Sequence, residues 1–89
     1  MNAPDADAIR SCLMKLAVDR GAGKTFCPSE AARAMGGAHP DGWGPLMTPV
    51  RRSAVALAEE GLLIIYRKGK PVDPHHFKGV YRLGLPHSE

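Results

Sequence analysis

The chain is poor in cysteine. Only Cys12 and Cys27 are present, and their spacing is not CxxC. That excludes a disulfide framework, and two cysteines with four scattered histidines do not suggest the ligand set of a structural zinc site. No apolar run approaches the length of a membrane span. The opening MNAPDADAIR is acidic and polar, unlike a signal peptide, so the expected compartment is the cytoplasm. Charge of one sign is not in large excess. A net charge of +3 and a pI near 9.1 permit a nucleic-acid partner without demanding one. With 89 residues the expectation is one domain over 1–89, with an ordered core at about 5–85. A chain this short buries only about 60–65% of its unfolded surface, which argues against a deep catalytic pocket.

A complete phosphate-binding loop is also missing. VDRGAGKTF contains GAGKT, but the pattern G-x-x-x-x-G-K-[ST] needs a glycine where Val18 stands. Such a loop also leaves a strand and enters a helix, whereas here a helical pattern precedes it and Phe26-Cys27-Pro28 follows. The segment reads as a helix stop at Gly21 and a glycine-softened connection. No cofactor is expected.

What is present is a regular succession of elements. Asp5 or Asp7 can cap a first helix, in which Ile9, Cys12, Leu13, Leu16 and Ala17 share one face. Thr25-Phe26-Cys27 suits a small edge strand. Pro28 and Glu30 suit the first turn of a short helix ending at Gly36-Gly37. AHPDGWGPL reads as a turn-rich link. Thr48 then caps a longer helix over 48–60, with Val50, Ala54, Leu57 and Ala58 buried. An alternative start near Trp43 would let Pro49 bend it. Leu62 to Tyr66 reads as a strand, Arg67 to Pro71 as a turn, Val72 to Gly79 as an irregular basic excursion, and Val80 to Leu85 as a closing strand. Pro86 to Glu89 are expected to fray. This order predicts an α+β winged helix-turn-helix: three helices and a small two- or three-stranded antiparallel sheet, with the final hairpin as the wing.

PSEAAR, then W-x-x-L-M-x-x-V-R, then AVALAEEG, KGKPVDP and KGVYRLGL, together resemble a bacterial domain-of-unknown-function family of small stand-alone proteins. The resemblance spans roughly residues 8 to 85 and implies a winged-helix fold. It implies no activity. Gly44 follows Trp43 where the family pattern often carries arginine, which removes a basic contact there.

Function is then a matter of chemistry. The second helix of a helix-turn-helix enters the major groove by its N-terminal turns, where Thr48, Arg51 and Arg52 stand. Arginine can reach guanine with both N–H groups or clamp a phosphate. Arg67, Lys68, Lys70 and Lys78 would lie on phosphates from the wing over 67–79. The expected function is DNA binding in transcriptional regulation, with double-stranded DNA as partner; a homodimer would read two half-sites. The bland reading of the wing cations is that they keep a sheet edge soluble.

The alternative is a protein-interaction module on the same scaffold, offering Trp43, Met47, Tyr66 and Phe77 as an apolar patch. An enzyme is not expected. VDPHH invites an acid–base or metal reading, yet Asp73 before proline reads better as a turn whose carboxylate caps the loop backbone. No catalytic and no metal-binding residues are assigned. Gly69 and Gly79 are expected to supply positive φ at the turns of the wing.

Overall fold

A computed structural model describes residues 4–86. Its helices are α1 (Ala6–Arg20), α2 (Pro28–Gly36), α3 (Pro40–Trp43) and α4 (Met47–Glu59). Its strands are β1 (Thr25–Phe26), β2 (Ile64–Arg67), β3 (Lys70–Pro71) and β4 (Arg82–Gly84). The class is α+β, with three helices of two turns or more. The fraying expected past Pro86 lies outside the described residues.

Asp5 caps α1, its carboxylate accepting from Ala8 N at 2.8 Å. One of the unpaired donors of the first turn is thereby satisfied. Ile9, Leu13 and Ala17 form the buried stripe, with Cys12 and Leu16 half-buried beside it. The helix stops at Gly21, and the GAGKT segment continues into β1 rather than into a helix. Pro28 opens α2. Glu30 accepts from Cys27 N at 2.9 Å and also pairs with Arg20, joining the last turn of α1 to the first turn of α2. These bonds hold the Glu30 carboxyl below its ordinary range, Arg20 most of all and then the Cys27 N–H. Ala31 and Ala32 are fully buried, which lets neighbouring helices approach closely. At the end of α2 the backbones of Gly36 and Gly42 touch, leaving no room for a Cβ on either.

The expected link before α4 is largely helical. Pro40 starts the single turn of α3, capped by His39 Nδ1 accepting from Asp41 N at 3.1 Å. A 3-10 turn over Gly44–Leu46 then leads directly into α4. The expectation that Thr48 caps this helix is therefore corrected. Thr48 is its second residue, and Leu46 before it is already in the right-handed helical region. The incoming turn supplies the acceptor for Met47 N–H, so no capping side chain is required. Pro49 stays within the first turn, where its missing N–H breaks no bond internal to α4.

The end of α4 explains a second shift. Gly61 N–H bonds to Ala58 O at 3.1 Å and Leu62 N–H to Leu57 O at 2.9 Å, a Schellman closure with Gly61 at φ 79. Leu62 belongs to that closure, so β2 begins at Ile64 and not at Leu62.

The sheet has four strands in the order β1-β4-β2-β3, all antiparallel, one more than the two or three expected. The addition is β3. Lys68 and Gly69 (φ 52 and 79) form a two-residue hairpin turn of the kind that matches strand twist, and this pairs Arg67 with Lys70 and Tyr66 with Pro71. A two-residue strand containing proline has no periodicity to reveal it. Phe26, Ile65 and Leu83 share register across the sheet and join the core with Leu13, Val50, Ala54 and Leu57. Thr25, Tyr66 and Arg82 alternate to the outer face.

Candidate nucleic-acid interface

The exposed side of α4 carries Thr48 and Arg52. They border a shallow recess of about 450 Å³ that also meets Arg51, Val55, Ala56 and Glu59. Arg52 has no hydrogen-bond or ion-pair partner among the described residues, and its guanidinium is free for an anion.

Arg51 differs from the expected groove contact. Its Nη2 donates to the Phe77 carbonyl at 2.9 Å. Its guanidinium carbon sits 4.0 Å from the Phe77 ring centre and 5.7 Å from that of Tyr81. The reason is Phe77, which folds back into the core at 7% exposure and packs edge-to-face on Tyr81 at 5.1 Å. Arg51 thus holds the excursion between β3 and β4 rather than facing outward. Tyr81 is equally buried, its hydroxyl without a hydrogen-bond partner among the described residues and pushed up to about 12, chiefly by that burial.

Arg67 acts in the same way from the sheet. It is half-buried, and its Nη1 donates to the Lys78 carbonyl. A Cβ on Gly79 would lie 2.7 Å from that nitrogen, so the glycine (φ 84) lets the guanidinium pass. Consecutive carbonyls, Phe77 and Lys78, are held by arginines from α4 and from β2. The excursion therefore ties α4 to β2, the strand that leads into the hairpin. Lys68, Lys70 and Lys78 are exposed and, like Arg52, have no partner among the described residues.

The cations elsewhere are mostly engaged. Arg10 makes two bonds to Glu60, at 2.6 and 2.9 Å, which raise the arginine and lower the carboxyl from their ordinary values. Lys15 pairs with Asp19 at 3.2 Å, and Arg20 with Glu30. Arg33 lies 4.8 Å above the half-buried Trp43 ring, and Arg82 bonds Thr25. Lys24, in the loop before β1, also has no such partner among the described residues. The carboxylates at the far end of α4 are engaged too. Glu60 takes Arg10, and Glu59 lies 3.2 Å from His75 Nε2.

In the excursion, Asp73 accepts from His75 N at 2.9 Å and meets His76 Nδ1 at 3.2 Å. Its carboxyl is lowered first by that backbone N–H. This is the turn read from VDP. Among the described residues no cluster of three or more metal-ligating side chains forms, and no helix is long and apolar enough to cross a membrane. Of the four residues considered for an apolar patch, Phe77 is buried, and Trp43, Met47 and Tyr66 are half-buried. Sequence reasoning missed the latch made by Arg51 and Arg67. Its only trace was a phenylalanine in an otherwise polar loop.

The family model described as Protein of unknown function (DUF3253) matches residues 6–86. Comparison with curated proteins finds no match.

Proposed function

The chain belongs to this DUF3253 family of unknown function, and we propose that it is a winged helix-turn-helix protein that binds double-stranded DNA in transcriptional regulation in the cytoplasm. In this reading α2 and α4 are the helix pair, and α4 enters the major groove by the end carrying Thr48 and Arg52. The hairpin and the excursion after it form the wing, with Lys68, Lys70 and Lys78 on phosphates. Arg51 and Arg67 position that wing and do not themselves touch DNA.

One observation carries the reading. Among the described residues the cations without a partner are Arg52 on α4, Lys68 and Lys70 on the hairpin, Lys78 in the excursion and Lys24, while the others are matched to a carboxylate, an aromatic ring, a backbone carbonyl or Thr25. Between Gly61 and Pro86, Asp73 is the sole carboxylate against Arg67, Lys68, Lys70, Lys78 and Arg82. Exposed and unmatched cations on neighbouring elements make an electrostatic footprint for a phosphate backbone. The burial of Phe77 weakens the competing protein-docking reading, which needs apolar surface instead.

Fluorescence anisotropy with a mixed-sequence duplex tests the proposal. Four phosphate contacts give a log–log salt slope of about −3.6, so affinity falls roughly 150-fold between about 50 and 200 mM salt. Arg52→Ala makes the slope shallower by about 0.9, while Lys15→Ala leaves it unchanged. Absence of binding at tens of micromolar protein in low salt would overturn the reading.

A further inference from the structure

The outer face of the sheet, away from the core, holds a recess of about 490 Å³ that shares only Lys68 with the proposed DNA contacts. It lies between the Gly23–Thr25 connection, Tyr66, the Lys68–Gly69 turn, Val80 and Arg82. Its volume is within the range of small-molecule sites, about 300–1,000 Å³. We propose that this recess binds a small planar aromatic anion.

The Tyr66 ring edge packs beside Gly84, its Cε2 3.4 Å from where a Cβ would stand. The tighter limit at residue 84 is the Lys24 carbonyl, 2.9 Å from where a Cβ would stand, so glycine lets the connection before β1 close over this end of β4. Val80 is 83% exposed, an isopropyl group left in water at the mouth of the recess. The Tyr66 ring and the apolar Val80 rim suit a planar apolar body.

The polar lining has one sign. Arg67, Lys68 and Arg82 border the recess, and no carboxylate does. Arg82 is already oriented, its Nε donating to Thr25 Oγ1 at 2.8 Å and its Nη2 to Thr25 O at 3.1 Å. A guanidinium has five N–H donors, so the rest of this fork stays open to an anion. Lys68 adds an exposed charge from the turn, beside Arg67, whose guanidinium is tied to the Lys78 carbonyl. The fitting ligand pairs one aromatic system with one carboxylate or phosphate. An aromatic carboxylic acid and a nucleoside monophosphate share that chemistry.

The test uses the full chain without DNA, so it stands or falls separately from the DNA reading. The probes are 2-naphthoate and adenosine monophosphate; 2-naphthol and adenosine are their neutral counterparts. Calorimetry and NMR titration of each should show saturable one-to-one binding of at least one anion, at about millimolar or tighter. Shifts should centre on the Tyr66 ring and the Arg82 Nε–H, and the neutral counterpart should bind at least about tenfold more weakly. Naphthoate binding alone assigns a carboxylate ligand, and nucleotide binding alone a nucleotide. Lys68→Asn should weaken the anion severalfold while keeping the hairpin, because asparagine tolerates the left-handed turn. Tyr66→Leu should weaken it further. No saturation by either anion at about 10 mM, equal binding of the neutral compounds, or shifts centred on α4 would overturn the proposal.

Discussion

Replacing Arg51 tests whether the latch on the excursion is energetic or incidental. Arg51→Ala removes a hydrogen bond from a charged donor to Phe77 O at 2.9 Å and a guanidinium stacked 4.0 Å from the Phe77 ring. The first contributes about 1.5–3 kcal/mol and the second about 0.5–1 kcal/mol. Arg51 is half-exposed, so water screens both, and a loss of about 2 kcal/mol is expected. Urea denaturation followed by Trp43 fluorescence measures it. Arg51→Lys keeps the charge without the planar fork and should lose about half as much. Phe77→Leu keeps the backbone carbonyl and removes only the ring, so a double-mutant cycle with Arg51→Ala isolates the stacking, at about 0.5–1 kcal/mol of coupling. A loss below about 0.5 kcal/mol in Arg51→Ala, or no coupling in the cycle, would refute the latch.

Glu30 makes a pH prediction. Its carboxyl is lowered in the folded chain by Arg20 and then by Cys27 N–H. Its stabilisation is therefore complete above the ordinary value of 4.5 and is lost as pH falls through the lower folded value. Urea midpoints measured from neutral pH into acid should drop less steeply in Glu30→Gln than in the parent. Gly69 has open space where a Cβ would go but φ +79, so Gly69→Val should cost about 1–2 kcal/mol through the backbone alone. Gly69→Asn should lose far less; equal losses in the two would show that the turn's handedness is not the cause. Gly36→Ala forces a methyl into the carbonyl of Gly42 and should cost about 1–3 kcal/mol in the same denaturation assay.

What was legible in the sequence was local. The stripe of Ile9, Leu13 and Ala17, the Pro28 start of α2 and the glycine stops each reflect contacts within a turn or two. The excursion and the Asp73 turn were legible for the same reason. The helix over Pro40–Trp43 was not, because Pro-Asp-Gly-Trp has turn chemistry, and its helical path is set by the backbone contact between Gly36 and Gly42. Thr48 had the composition of a cap, but the incoming 3-10 turn had already supplied the acceptor. The candidate interface was legible as a set of cations and not as a geometry. Helical phase, with Val50 and Ala54 buried, sets Arg52 well away from the core and Arg51 to one side, but it does not give Arg51 a partner. That partner is Phe77, 26 residues later, which holds Arg51 while Arg52 stays exposed.

The strand order also constrains when the chain can fold. β4 lies between β1 and β2, and Arg82 reaches Thr25 across 57 residues. Without Leu83, Phe26 and Ile65 have no strand between them to join. A nascent chain can coil its helices early, yet its sheet must wait for the closing strand to be synthesised. Until then the edges of β1 and β2 that flank the missing strand are open, and this is the interval in which the protein is most exposed to mispairing with another chain.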